Sequence, residues 1–170
     1  APDCGSLTAY ETFADLEETF RHQIRCFIAK MVRACEQVEQ VHMDLLPTPF
    51  LSSLIENCML QGMGVTRGGA KYNLSGIQMI QVANLADSFA ALKQLVYDER
   101  KIPADQLLDA LTHNFEGSEA IRTMLLRKVP KYGNDVEWVD QLGVKWAEYF
   151  KHKLDTYTNY QLGCILYEVV

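Results

Sequence analysis

Phe13, Leu16, Phe20, Ile24, Phe27, Met31, Cys35, Val38 and Val41 recur at steps of three and four. That spacing lays one apolar stripe along a long amphipathic helix, expected over residues 8 to 45. A stripe of this kind has to be covered, so the chain must build a packed helical structure around it. Thr8 followed by Glu11 offers a capping box at its start, and Pro47 and Pro49 stop it. A second helix is expected over 49–61; it carries Phe50, Leu51, Leu54, Ile55 and Cys58, and Gly62 can cap its end.

Further on, Val82, Leu85, Phe89, Leu92 and Val96 give a second buried seam. Pro103 suits the first turn of a helix that turns Leu107, Leu108 and Leu111 inward. Ser118 and Glu119 open a short helix that must end before Pro130. Residues 131–135, KYGND, read as a turn, and Val139, Leu142, Trp146, Phe150 and Leu154 mark one more long helix. Short strands are expected near 69–75 and 164–170, where Tyr, Leu, Ile and Val gather. The expected fold class is therefore mostly α with minor β. The apolar run from Cys164 to Val170 needs a partner, either a small internal sheet or a neighbour missing from a truncated fold.

The composition is that of a globular protein: of 170 residues 48% are hydrophobic and 22% charged, with a formal charge of −6. That charge argues against a nucleic-acid or anionic-membrane surface, both of which call for a basic patch. No apolar run reaches the roughly 18–20 residues that cross a bilayer. The N-terminal Ala1-Pro2-Asp3-Cys4 has no basic start and no apolar stretch, so it does not read as a signal peptide. It also lacks Met, which suggests a processed chain or a piece of a longer one. Five cysteines, Cys4, Cys26, Cys35, Cys58 and Cys164, are odd in number and widely spaced. A disulfide scaffold is not expected, and a reducing cytoplasm fits better. Nor is a metal site, because structural zinc needs ligands roughly two to four residues apart.

The stretch GMGVTRGGAKYNLSG, 62–76, carries five glycines with Arg67, Lys71 and Tyr72. Gly64 and Gly69 have phosphate-loop separation, but Ala70 precedes Lys71 and Tyr72 follows it. No hydroxyl is placed for magnesium, and the preceding segment reads as helix. A dinucleotide fingerprint fails too, for want of a βαβ unit. What the residues alone support is a tight backbone path at Gly68 and Gly69.

Five strings in order, LLPTPFLSSL (45–54), GGAKYN (68–73), ANLADSFAALKQLVYDE (83–99), NFEG (114–117) and KYGND (131–135), resemble the glycyl radical enzymes, in particular their dehydratase and lyase branch. Pyruvate formate-lyase is a more distant relative. The resemblance covers residues 10–160. It implies that the chain, as a single segment 1–170, is a fragment of a ten-stranded α/β barrel of the pyruvate formate-lyase type. It implies a cytoplasmic, oxygen-sensitive parent of anaerobic metabolism that cleaves a C–O or C–N bond of a small polar substrate. In the family a C-terminal glycyl radical takes hydrogen from a catalytic cysteine, whose thiyl radical attacks the substrate. The radical is installed by an S-adenosylmethionine and iron–sulfur activating enzyme. That enzyme is the implied partner, and a homodimer the implied assembly. No cofactor is expected to bind this chain, and no nucleic acid or membrane.

Neither radical-bearing element is expected here. No cysteine sits in the family's Gly-Cys-x-Glu motif, and the Arg-Val-x-Gly-Tyr string is missing, so the chain alone is expected to be inactive. By the same resemblance Tyr167 matches a tyrosine that lines the substrate pocket. Gly68, Gly69, Lys71, Tyr72 and Asn73 would form a barrel strand entered through a glycine turn, with Lys71 and Asn73 tying loops. The end departs from the family pattern: NYQLGCILYEVV has Gln161 and Leu162 where Arg and Gly are usual, and no Pro-Gly before Leu166. Asp87 reads as a helix cap and His42 as a helix-terminus contact. Two alternatives stay open. One is an acyltransferase of the pyruvate formate-lyase type, which needs two adjacent cysteines. The other is a non-catalytic helical module or remnant.

Overall fold

The chain, seen in a computed structural model, is described over residues 3–159 and 164–169, the last stretch in backbone alone apart from Ile165. The described residues are mostly helical, with two short strands. Two compact units form. The first gathers residues up to Ile24 with Ile80–Tyr149, and the second gathers Arg25–Met79 with Phe150–Val169.

The long helix α1 runs Phe13–Leu45, starting later than the pattern suggests. The chain first makes a 3-10 turn at Leu7–Ala9, capped by Ser6. The capping box is Thr12 with Asp15, not Thr8 with Glu11. Thr12 donates its N–H and its hydroxyl to Asp15 Oδ2 at 3.0 and 2.7 Å, and the Asp15 N–H donates to Thr12 Oγ1 at 3.2 Å. Both pairs fit the motif, but Thr8 is already committed to Ser6 within the 3-10 turn.

In the first unit the remaining elements are α4 (Val82–Ala91), a π-helical segment Leu92–Asp98, α5 (Ala104–Thr112), α6 (Glu119–Arg127) and most of α7 (Glu137–Leu154). The seam expected on α7 is observed: Val139 and Trp146 are fully buried and Leu142 nearly so. Trp146 stacks on Phe89 with centroids 5.4 Å apart and takes Phe20 and Tyr149 edge-on at 4.8 and 5.7 Å. The Arg21 guanidinium lies 4.9 Å from the Tyr149 ring centroid and 5.7 Å from that of Trp146. Such a cluster adds offset and edge-to-face attraction to a large buried area.

The π segment is where α4's seam changes step. Glu99 N–H donates to the Gln94 carbonyl, five residues back, at 2.9 Å. Side chains pair over the same interval, Lys93 with Asp98 at 2.6 Å and Gln94 with Glu99 at 2.9 Å. The wider turn buries Leu95 and Val96 together. Leu111, expected inward on α5, is about half exposed, and Leu107 and Ala110 take the buried positions. The α6 helix starts at Ser118 as expected, but its cap contact is Glu119 Oε1 accepting from Gly117 N–H at 3.1 Å.

The second unit holds the rest of α1, then α2 (Pro49–Leu54), α3 (Cys58–Gln61), β1 (Leu74–Met79) and β2 (Cys164–Val169). The single helix expected over 49–61 is broken, because Asn57 adopts φ 79°. Gly62 caps its second piece at φ 63°. The first strand lies at 74–79, beyond the expected 69–75, so GGAKYN is the turn before the strand and not the strand. The apolar end finds a partner: β1 and β2 pair in parallel, Leu74 with Cys164 through Met79 with Val169. In this unit the buried positions of α1 are Ile28 and Val32, one residue on from the expected Phe27 and Met31; Met31 and Cys35 are half-buried, and Phe27, Val38 and Val41 are at least half exposed. Phe50 at 79% and Leu60 at 87% exposure extend an uncovered apolar surface.

Trp146→Ala should lower unfolding free energy by about 3–5 kcal/mol in urea titration, the usual range for emptying a buried aromatic site. Tyr97 gives a pH prediction. Burial, then the Asp15 and Tyr10 charges, hold its phenol above the ordinary 10.0. The unfolded phenol ionises first, so stability falls as pH rises through that value. Tyr97→Phe should flatten this alkaline decline and leave stability at pH 7 unchanged or higher, since the buried Tyr97 hydroxyl has no hydrogen-bond partner among the described residues.

Candidate functional site

The glycine turn is built from its own backbone. Arg67 and Gly69 N–H both donate to the Gly64 carbonyl, at 2.9 and 3.1 Å, and Gly68 N–H donates to Val65 O at 3.3 Å. Val65 N–H donates to Ser52 Oγ at 3.0 Å, while Ser52 passes its own hydrogen to Thr48 O at 2.7 Å. Those N–H groups are the donors a phosphate cradle would need, and they are spent internally.

Each glycine has a distinct reason. Gly68 sits at φ 82°, a conformation costly for other residues. Gly69 is buried, and a Cβ there would lie 2.1 Å from the Met63 carbonyl oxygen. The charged side chains tie the turn down. Lys71 Nζ pairs with Glu56 at 2.9 Å and lies 5.7 Å from the Tyr72 ring. Asn57 Nδ2 donates to Gly69 O at 3.3 Å, and Arg67 Nε to Met43 O at 3.2 Å. Tyr72 is 74% exposed and Asn73 half-buried. Beside the turn, a cavity of about 580 Å³ is lined by Thr48, Ser52, Cys58, Met59, Met63 and Arg67.

Asp87 lies in the body of α4, so it caps no helix start. Its Oδ1 accepts from Tyr132 N–H at 2.8 Å and holds the KYGND turn. The Tyr132 ring in turn lies over Gly143 of α7, where a Cβ would come within 2.6 Å of it. His42 falls in the last turn of α1. Tyr167 is opposite Ile77 in the strand register; its side chain lies outside the described residues. Cys58 is a buried free thiol.

One polar cluster has no sequence signal. Ser75 of β1 donates to Glu39 of α1 at 2.5 Å, and Asn159 Nδ2 donates to Ser75 Oγ at 3.2 Å. Separations of 36 and 84 positions make it invisible to any local motif. Among the described residues no three His, Cys, Asp or Glu side chains gather as metal ligands, and no helix is long and apolar enough to cross a membrane.

The pyruvate formate lyase-like family model matches residues 1–169. The chain belongs to the pyruvate formate lyase-like family. It is 34% identical over 140 residues to trans-4-hydroxy-L-proline dehydratase of Clostridioides difficile, covering 82% of this chain and 18% of that protein. It is 35% identical over 142 residues to (2S)-3-sulfopropanediol dehydratase of Klebsiella oxytoca, covering 83% and 17%. The glycerol-bound B12-independent glycerol dehydratase of Clostridium butyricum superposes at a TM-score of 0.90 with 34% identity, over 98% of this chain and 21% of that one. All three of these relatives are dehydratases, and this member of the family spans 17–21% of their length. The described residues form no barrel of their own.

Gly69→Ala should destabilise by about 3 kcal/mol, the upper range for forcing a methyl into packed space, and Gly68→Ala by about 1 kcal/mol. Equal effects in thermal or urea melts would contradict the close approach at Gly69.

Proposed function

We propose that the chain is part of a glycyl radical dehydratase or lyase, contributing a segment of the ten-stranded barrel that walls the active site. The observation that carries this reading is the superposition on a glycerol dehydratase over 98% of the chain at 34% identity. The uncovered apolar surface of the second unit supports it, since such a surface calls for neighbouring polypeptide. So does the two-stranded parallel sheet, because parallel strands are normally found within larger, covered sheets.

On this reading the parent cleaves a C–O or C–N bond of a small polar substrate. The catalytic cysteine and radical glycine, carried by other segments, supply hydrogen-atom abstraction. This chain holds walls and loops, with Tyr167 of β2 assigned to the substrate pocket and Gly68, Gly69, Lys71, Tyr72 and Asn73 securing the turn that leads into β1. The chain alone is inactive and binds no cofactor. Its partners are the S-adenosylmethionine activating enzyme and a second copy of the full-length protein.

The coding sequence around residues 1–170 tests this. An in-frame Gly-Cys-x-Glu upstream and Arg-Val-x-Gly-Tyr downstream are expected; stop codons at both ends would exclude the radical reaction. In the full-length protein Tyr167→Phe should lower kcat/KM about tenfold, the worth of roughly one hydrogen bond. Unchanged kinetics would remove Tyr167 from the pocket.

A further inference from the structure

The parallel pair has a register problem. In a hairpin the turn fixes which residues face each other, but parallel strands are joined by long crossovers and lack that device. Backbone hydrogen bonds do not solve it, because they are equivalent in every register. A slip of one residue exchanges the two faces of a strand. Here Leu74 must meet Cys164 and Ile77 must meet Tyr167.

The cluster of Glu39, Ser75 and Asn159 sits where such a choice can be made. Each residue comes from a separate segment: the C-terminal third of α1, the second position of β1, and a position ahead of β2. The 2.5 Å contact from the Ser75 hydroxyl to the Glu39 carboxylate is at the strong, short end for a charge-assisted bond. Asn159 is 5% exposed and donates to the same hydroxyl. A buried amide that lost this acceptor would carry a desolvation cost. The cluster borders Val32, Cys35, Ile77 and Ile165, around a void of only about 10 Å³. That is about the space one water needs, too little for an organic substrate. The bonding links β1 and Asn159 to a fixed point on α1.

We infer that Glu39, Ser75 and Asn159 form a register lock for the parallel pair. Ser75 bridges Glu39 of the helix to Asn159, and a one-residue slip of β1 would turn Ser75 to the other face and away from both. Through that pairing they are positioning residues for Tyr167; this last step rests on the reading of Tyr167 given above.

Near-isosteric substitutions separate the hydroxyl from its volume. Ser75→Thr keeps the donor and acceptor, Ser75→Val removes both, and both are β-branched residues at home in a strand. Hydrogen exchange read by mass spectrometry on the longest polypeptide carrying this chain is the measurement. With Val, peptides spanning 74–79 and 164–169 should exchange ~10- to 100-fold faster, the scale of one bond to a charged group, while peptides around Trp146 stay protected. With Thr, wild-type protection should return. Asn159→Leu should behave as Val does. Equal protection for Thr and Val, whether both high or both low, would overturn the lock. The Tyr167 reading fails independently: unchanged kinetics in Tyr167→Phe alongside fast exchange in Ser75→Val would remove Tyr167 from the pocket and leave the lock standing.

Discussion

Trp146 is the constraint around which the helical unit is arranged. Its indole is completely buried, stacked on Phe89 and edged by Phe20 and Tyr149. Those rings come from α1, α4 and α7, so one side chain fixes three helices against each other. Arg21 closes the cluster over Trp146 and Tyr149 and pairs with Glu18 at 3.2 Å. Outside the ring, Lys145 of α7 reaches Glu17 of α1 at 2.6 Å, a contact with its lysine end in solvent. The aromatic packing carries the unit, and the indole N–H without a hydrogen-bond partner among the described residues is the cost accepted for it.

The second unit is organised differently. Its strands are short, its helices α2 and α3 are single turns or little more, and large apolar side chains from Phe27 to Leu60 face outward. What holds it locally is polar: the carbonyl of Gly64, the Ser52 hydroxyl, the Lys71–Glu56 pair and the Glu39–Ser75–Asn159 cluster. Polar ties of this kind set geometry more than they set stability. A unit rich in geometric ties and uncovered apolar faces fits the reading of a wall segment within a larger dehydratase.

Much of the helical part was legible in the sequence, because period 3.6 reports directly which face is apolar. The α7 seam of Val139, Leu142, Trp146 and Leu154 is the clearest case. Periodicity does not say what covers a face, which is why Phe27, Val38 and Val41 read as core and are exposed. The Thr8–Glu11 box was a reasonable reading of a degenerate motif that Thr12 and Asp15 satisfy four residues on. Tyr72 and the glycines resemble a strand and its turn, so the pattern points to 69–75, whereas pairing with β2 decides that β1 lies at 74–79. The π segment broke the seam at Leu92 through pairs five residues apart, a spacing that helix patterns do not look for. The five ordered strings carried the family, which no single spacing could. The Glu39 cluster was beyond any local reading.

The central claim is that this chain works inside a radical enzyme. The direct measurement is electron paramagnetic resonance of the full-length protein, prepared without oxygen and incubated with its activating enzyme and S-adenosylmethionine. The account predicts a stable organic-radical signal that disappears when the glycine of the downstream Arg-Val-x-Gly-Tyr loop is replaced by alanine. No signal, with S-adenosylmethionine visibly cleaved, would contradict it.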